Sequence, residues 1–252
     1  MGSLSLWFPQ FLALAYVLRG DVAPCMTDDC EYKGVMTTFG VLTAVAGLAG
    51  VAIGLFGSHS WKKDRGPGKP GNQRADAELC AIGQFVLAIF VFIALFGAQN
   101  YPILTWASGL LGMIGGCINW ALMVNMTMYT CLPKRRSFAN ALQMFTGHIL
   151  GDAFSPLLIG IISEYLQSSK ETLGPSFFAE FKSLQYGMLL CPLLSALGGM
   201  CFLIAANNIV QDKAVVDDYI SKTKKNAKLT ESNEMVGSSE SDTSVSNENE
   251  TR

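Results

Sequence analysis

Apolar residues in this chain do not alternate with polar ones at a strand or amphipathic-helix period. They run on in uncharged stretches of the length needed to cross a bilayer core, about 20 residues. Six such stretches occur, at about 1–18, 36–57, 79–98, 103–130, 137–163 and 183–211, all uncharged except the fifth, which carries a single acid, Asp152. The third and fourth belong to one run without Asp, Glu, Lys or Arg from Leu79 to Pro133, too long for a single crossing. It breaks at Gln99-Asn100-Tyr101-Pro102, a turn-forming sequence closed by proline. All six stretches are predicted as helices, because backbone in hydrocarbon must satisfy its own hydrogen bonds. The fold class predicted is an all-α membrane protein, a bundle of six transmembrane helices over residues 1–211. Residues 212–252, rich in Ser, Asn, Glu and Lys, are predicted as a disordered cytosolic tail.

The first stretch has a rival reading as a signal peptide, with Ala13-Leu14-Ala15 resembling a cleavage site. No basic residue precedes its apolar run, which disfavours that reading. Orientation comes from the basic residues. Fourteen of the eighteen lie in the 58–78 connection, at Lys134, Arg135 and Arg136, and in the tail. Positive-inside bias places those segments in the cytosol. Both chain ends then fall on one side, as an even number of crossings requires.

Composition agrees with this picture. Half of the residues are hydrophobic and 15% are charged, against about a quarter charged in soluble domains. The net charge of −2 and the lack of a basic groove argue against nucleic-acid binding. No Ser/His/Asp set, phosphate loop or carboxylate pair is spaced for catalysis, so an enzyme is not expected, nor is a cofactor. No Cys/His spacing suggests a metal site. Cys25 and Cys30, on the predicted non-cytosolic side, are a candidate disulfide pair, because that compartment permits oxidation.

The most informative stretch is the fifth. At about 100° per residue His148, Asp152 and Ser155 share a narrow arc, with Gly147 and Gly151 beside them. Asp152 lies some fifteen residues past the basic loop, roughly 22 Å along the axis and inside the hydrocarbon slab. A carboxylate there must be paired, protonated or set in a wet cavity. Two roles compete. His148, Asp152 and Ser155 are candidates for moving a proton coupled to transport. Alternatively Asp152 accepts hydrogen bonds from a neighbouring helix end and holds two helices together near Pro156, which bends its own helix. Asn119, Asn125, Gln84 and Gln143 are candidates to line a polar cavity, or to bond a neighbouring helix. Three glycine pairs at four-residue spacing, Gly50/Gly54, Gly112/Gly116 and Gly147/Gly151, predict close helix packing.

Two segments carry a family resemblance. Leu132-Pro133-Lys134-Arg135-Arg136-Ser137, then Ala139-Asn140-Ala141-Leu142-Gln143 and His148-Ile149-Leu150-Gly151-Asp152-Ala153-Phe154-Ser155-Pro156, resemble the eleventh helix of spinster-like transporters of the major facilitator superfamily. Phe177-Phe178-Ala179-Glu180-Phe181-Lys182-Ser183-Leu184-Gln185-Tyr186 resembles the entry to their twelfth, and Leu6-Trp7-Phe8-Pro9-Gln10-Phe11-Leu12 is similar to their seventh. The resemblance implies that this chain is the second of two six-helix bundles. It implies a lysolipid or sphingoid-phosphate substrate, often proton-linked movement, and a lysosomal, endosomal or plasma membrane. It places Lys134, Arg135 and Arg136 at the cytosolic mouth of the eleventh helix. The expected partners are the lipid substrate, the membrane, and the amino-terminal bundle or a full-length homologue, since half-bundles enclose a site only against each other.

Overall fold

The computed structural model describes residues 2–21, 32–63, 72–168 and 176–249. Cys25, Cys30 and the Gly/Pro-rich stretch 66–71 lie outside them. The described elements are all helical: α1 (Gly2–Arg19), α2 (Tyr32–Lys62), α3 (Ala75–Gly97), α4 (Pro102–Thr130), a 3-10 turn (Pro133–Arg135), α5 (Arg136–Thr146), a π-helical segment (Gly147–Phe154), α6 (Ser155–Ser168), α7 (Ser176–Met188) and α8 (Leu190–Asn249).

Among the described residues, five rods are long and apolar enough to cross a membrane: Gly34–Lys62, Ala75–Gly97, Pro102–Thr130, Pro133–Gln167 and Phe177–Leu229. Helix α1 occupies the first predicted stretch but is not one of the five. Its 18 residues reach about 27 Å, just short of the roughly 30 Å hydrocarbon core, and they include Ser3, Ser5, Pro9 and Gln10. The molecule is therefore a multi-pass helical membrane bundle. Its outer faces fit that setting, with Ile103 and Phe138 each more than 70% exposed.

The rod Phe177–Leu229 is interrupted for a covalent reason. Pro192 has no N–H, and its ring crowds the carbonyl four residues back; α7 ends at that residue, Met188, and α8 starts at Leu190. Where the sequence predicts a disordered tail from 212, the structure continues α8 to Asn249. No Gly or Pro lies between Gly199 and Gly237 to stop it. Val216 is buried, and Lys222 pairs with Asp218 at 2.7 Å across one helical turn.

Helices α2, α3, α4 and α8 pack most closely, and the α3–α4 and α2–α4 pairs do so through contacts with backbone that only glycine permits. A Cβ on Gly83 of α3 would stand 2.6 Å from the Gly115 carbonyl oxygen of α4, and one on Gly115 would stand 2.8 Å from the Gly83 oxygen. Gly50 and Gly54 of α2 meet Cys117, Ile114 and Ile118 of α4 in the same way. Gly112 faces Val91 and Phe90, and Gly116 is buried in α4. The structure corrects the expectation for Gly147 and Gly151, above which nothing among the described residues lies within 4 Å. Their rod shows few of its residues to the rest of the bundle, and no residue of α5 or the π segment is buried.

A second packing group joins α1, α6 and α7 to the rest. Phe11 and Phe181, both fully buried, stack with ring centroids 4.8 Å apart, and Phe8 lies 5.7 Å from Phe39 of α2. Trp106 at the start of α4 donates to the Tyr16 hydroxyl at 2.9 Å, which fixes the far end of α1.

Candidate functional site

The fifth rod is not a uniform α-helix. Its middle winds as a π-helix from Gly147 to Phe154, between α5 and α6. The sequence shows why the regular ladder gives way here. Gly147 and Gly151 lack the side chains that stiffen a helix, and Pro156 has no N–H for the carbonyl five residues back, that of Gly151. The Ser155 hydroxyl donates to that Gly151 oxygen instead. π segments of this kind recur at functional sites.

The π segment carries His148 and Asp152. The Nδ1 of His148 lies 2.7 Å from Asp152 Oδ2, and since a carboxylate only accepts, the imidazole donates there. Both side chains are partly exposed, by 60% and 44%. The other carboxylate oxygen, Oδ1, accepts the backbone N–H of Gly2 at 3.0 Å. Asp152 thus meets one of the unpaired donors in the first turn of α1, where the helix dipole favours negative charge. The same junction includes a hydrogen bond between Ser3 and Ser155, and one of 3.0 Å from Trp7 Nε1 to the Pro156 carbonyl. Gly2 permits it: a Cβ there would stand 2.6 Å from both Asp152 Cα and Oδ1.

Asp152 is also where two cavities meet. One is a groove of about 1240 Å³ between α1, α2 and α4, walled by Leu4, Leu48, Val51, Leu55, Phe56 and Trp120. Among the described residues, Asp152 is the charged one on its lining. The other, of about 260 Å³, lies between α4 and the fifth rod and is lined by Asn140, Gln143, His148 and Asp152. Trp120 and Asp152 border both. The result is an apolar trough with a polar end. Gln143 Oε1 accepts from the Thr127 hydroxyl. Asn140 Oδ1 is withdrawn from solvent without a hydrogen-bond partner among the described residues, a state that costs about 1–3 kcal/mol. A separate space of about 730 Å³, between α1, α6 and α7, is bordered by Gln10, Glu164 and Glu180.

Of the residues singled out in the sequence, the structure brings His148, Asp152, Ser155, Pro156 and Gln143 to this region. It puts the others elsewhere. Asn119 is buried between α3 and α4 beside Gly83, and neither of its amide atoms has a partner among the described residues. Gln84 accepts from the Ser195 hydroxyl at 2.6 Å, tying α3 to α8. Asn125 donates at 2.9 Å to Asp76. Lys134 and Arg135 are exposed at the 3-10 turn, while Arg136 donates to the Cys131 carbonyl at 3.1 Å.

Sequence reasoning missed three residues. Asp76, at the start of α3, is fully buried and accepts from Ser58, Lys62 and Asn125, joining α2, α3 and α4. Its position just before the long uncharged run was the available signal. Trp120 and Asn140 had weaker ones: a bulky ring on a glycine-rich helix, and an amide on the same rod as His148.

No protein-family model matches the chain. Curated relatives do. Protein spinster homolog 1 of Mus musculus is 37% identical over 212 residues, which are 84% of this chain and 38% of that protein. The sphingosine-1-phosphate transporter SPNS2 of Xenopus tropicalis is 39% identical over 84% of this chain and 39% of its own length. SPNS2 of Mus musculus is 35% identical over 221 residues, 88% of this chain and 38% of its own. The chain thus spans about two fifths of the length of the curated relatives it matches.

Proposed function

Since the chain is spinster-like over 84% of its length, we propose that it is one half of a lipid transporter of the major facilitator type. In this reading α1 and the five longer rods are the six helices of the carboxyl-terminal bundle. They move a lysolipid or sphingoid phosphate by alternating access against an amino-terminal bundle. The observation that carries the reading is the trough itself, an apolar groove of about 1240 Å³ opening onto a polar pocket at His148 and Asp152. An amphiphile with one long tail and a small polar head has that division of surface. The His148–Asp152 pair sits at the junction, on a π segment that is the least packed part of the bundle. It is placed to exchange a proton with the cavity and to couple that exchange to substrate movement. The basic residues at the ends of α2 and α4, and those of α8, face the cytosol, and the membrane is lysosomal, endosomal or plasma.

The test is lipid flux in vesicles that hold this bundle together with its amino-terminal partner. Asp152→Asn and His148→Ala are each expected to abolish the response to an imposed proton gradient while leaving downhill lipid exchange. Export that stays fully proton-dependent in both variants would sink the coupling role. A second reading gives the same bundle no transport of its own. Here it is a non-transporting membrane protein that pairs with a full-length transporter and regulates it. That reading predicts co-purification with the longer protein and no flux from the 252-residue chain alone.

A further inference from the structure

The two ends of the fifth rod are held unequally. Beyond the π segment α6 is anchored: Ile159 is buried, Trp7 Nε1 donates to the Pro156 carbonyl at 3.0 Å, and the Ser163 and Ser183 hydroxyls meet at 3.1 Å. Before it, α5 has no buried residue. Thr127 donates to its Gln143, and its Arg136 donates to the Cys131 carbonyl at the end of α4. The π ladder between the two runs for eight residues, longer than the single turn in which such segments ordinarily occur. Each π bond closes one residue later than an α bond, so the segment holds an extra residue that an α ladder would release. Nothing among the described residues lies within 4 Å of a Cβ placed on Gly147 or Gly151, so no neighbour pins the wide turns there. The contacts of α5 are also finely balanced. Asn140 Oδ1 is shut off from solvent with no partner among the described residues, which disfavours the position α5 now holds. The Thr127 hydroxyl that meets Gln143 has a second acceptor, the Met123 carbonyl at 3.0 Å, and stays satisfied if Gln143 leaves.

We propose that the fifth rod is a two-position gate, in which the π segment rewinds as α-helix and turns α5 about its own axis while α6 stays in place. Releasing one held residue turns α5 by about 100° and shifts it by about 1.5 Å. With α6 as the fixed end, each place now held by an α5 residue passes to the next residue along the chain. The small cavity of about 260 Å³ is lined from α5 by Asn140, Gln143 and Met144. After rewinding, Ala141, Met144 and Phe145 hold those places. Two amides give way to a methyl group and a thioether, and a ring takes the third place, so the polar end of the trough closes and turns apolar. His148 and Asp152 stay within reach of each other, because residues four apart also meet on an α-helix. Asp152 lies three residues from Ser155, on the anchored side, so its contact with Gly2 does not have to break. The present position keeps the Gln143 contact and strands Asn140 Oδ1; the other reverses both, which is what sets the two close in energy. The gate belongs to the rod itself and stands whether or not a lipid occupies the trough.

The experiment is disulfide trapping in the 252-residue chain in nanodiscs, with every native cysteine except the buried Cys80 replaced by alanine. Thr127→Cys is combined with Gln143→Cys to report the present position, and with Met144→Cys to report the rewound one. Thr127→Cys with Phe138→Cys, on the exposed side of α5, is the control for chance encounter. Both reporter pairs are expected to oxidise faster than the control. Gly147→Ala with Gly151→Ala should raise the ratio of the 144 rate to the 143 rate about fivefold, because alanine favours the α ladder and its methyl group meets nothing there. Asn140→Leu should lower that ratio about fivefold or more, because no amide oxygen is then stranded; Asn140→Ala makes the same test should the leucine variant fail to fold. A 144 pair that stays at the control rate in the parent and in the glycine variant overturns the gate. Equal 143 and 144 rates that no substitution moves describe a loose rod without two positions and overturn it too. A ratio that answers the glycines but neither Asn140 variant overturns the role given to Asn140. Absence of the 143 pair overturns the geometry on which the gate rests. None of these outcomes involves a lipid, so each leaves the lipid-path reading to its own test.

Discussion

Gly83 and Gly115 face each other across α3 and α4, and each holds the other helix's carbonyl where a side chain would be. For Gly83→Ala, the new Cβ would start 2.6 Å from the Gly115 oxygen, and ordinary contact begins near 3.4 Å, so the helices must part by about 0.8 Å. The obstacle is backbone, and no rotamer relieves it. Parting the helices loosens the side chains packed beside the crossing, among them fully buried Leu122 and Cys80. Overpacking of this kind costs about 1–3 kcal/mol, against which alanine's helix propensity returns up to about 1 kcal/mol. Gly115→Ala has the same geometry, with the Gly83 oxygen at 2.8 Å and Val86 Cγ1 at 2.9 Å. One displacement of α3 from α4 serves both new methyl groups. The double variant is therefore expected to cost about as much as the worse single one, with a coupling of about 1–2 kcal/mol. Gly147→Ala, with nothing within 4 Å, isolates the propensity gain and should be neutral or stabilising. Unfolding of the purified chain by increasing SDS in mixed micelles, followed by tryptophan fluorescence, gives all four midpoints. Additive losses at Gly83 and Gly115, or a loss at Gly147 as large as theirs, would refute the backbone-crossing argument.

Three further outcomes follow from contacts already described. Asp76→Ala strips the acceptor from Ser58, Lys62 and Asn125 and should cost about 2–3 kcal/mol, less than for a fully buried ion pair because Lys62 is one-third exposed; Asp76→Asn should recover part of it in the same titration. Phe11→Ala removes a fully buried ring stacked on Phe181 and should cost about 3–5 kcal/mol, read as a lowered thermal midpoint in detergent; a loss below 1 kcal/mol would mean that α1 is not packed on α7 as described. Gly2→Val forces α1 off the π segment, so a cysteine placed at Ser5, on the groove wall, should label faster with a membrane-permeant maleimide than in the parent, and an unchanged rate would count against the junction.

The apolar stretches and the break at Pro102 were legible in the sequence because they depend on local chemistry. An uncharged run of bilayer length must be helical, and the longest one is divided by the turn that Pro102 closes; the interruption ahead of Pro192 was not foreseen, and Pro9 sits inside unbroken α1. The presence of a carboxylate at Asp152 inside such a run could be read for the same reason. Which small residues pack was not legible. Gly147/Gly151 and Gly50/Gly54 have the same spacing, yet α4 covers only the second pair. Gly83 and Gly115 have no such spacing between them and form the closest crossing. Nor could the partners of the polar residues be read. Asn119 and Gln84 face α3–α4 and α3–α8 interiors, while Asn140 borders the trough, and nothing within a turn of each separates them. Helical periodicity states which residues share a face; it does not state what lies opposite. That was decided by the tertiary arrangement, which set the start of α1 against the π segment, brought Gly2 to Asp152 across 150 residues, and left a trough beside them.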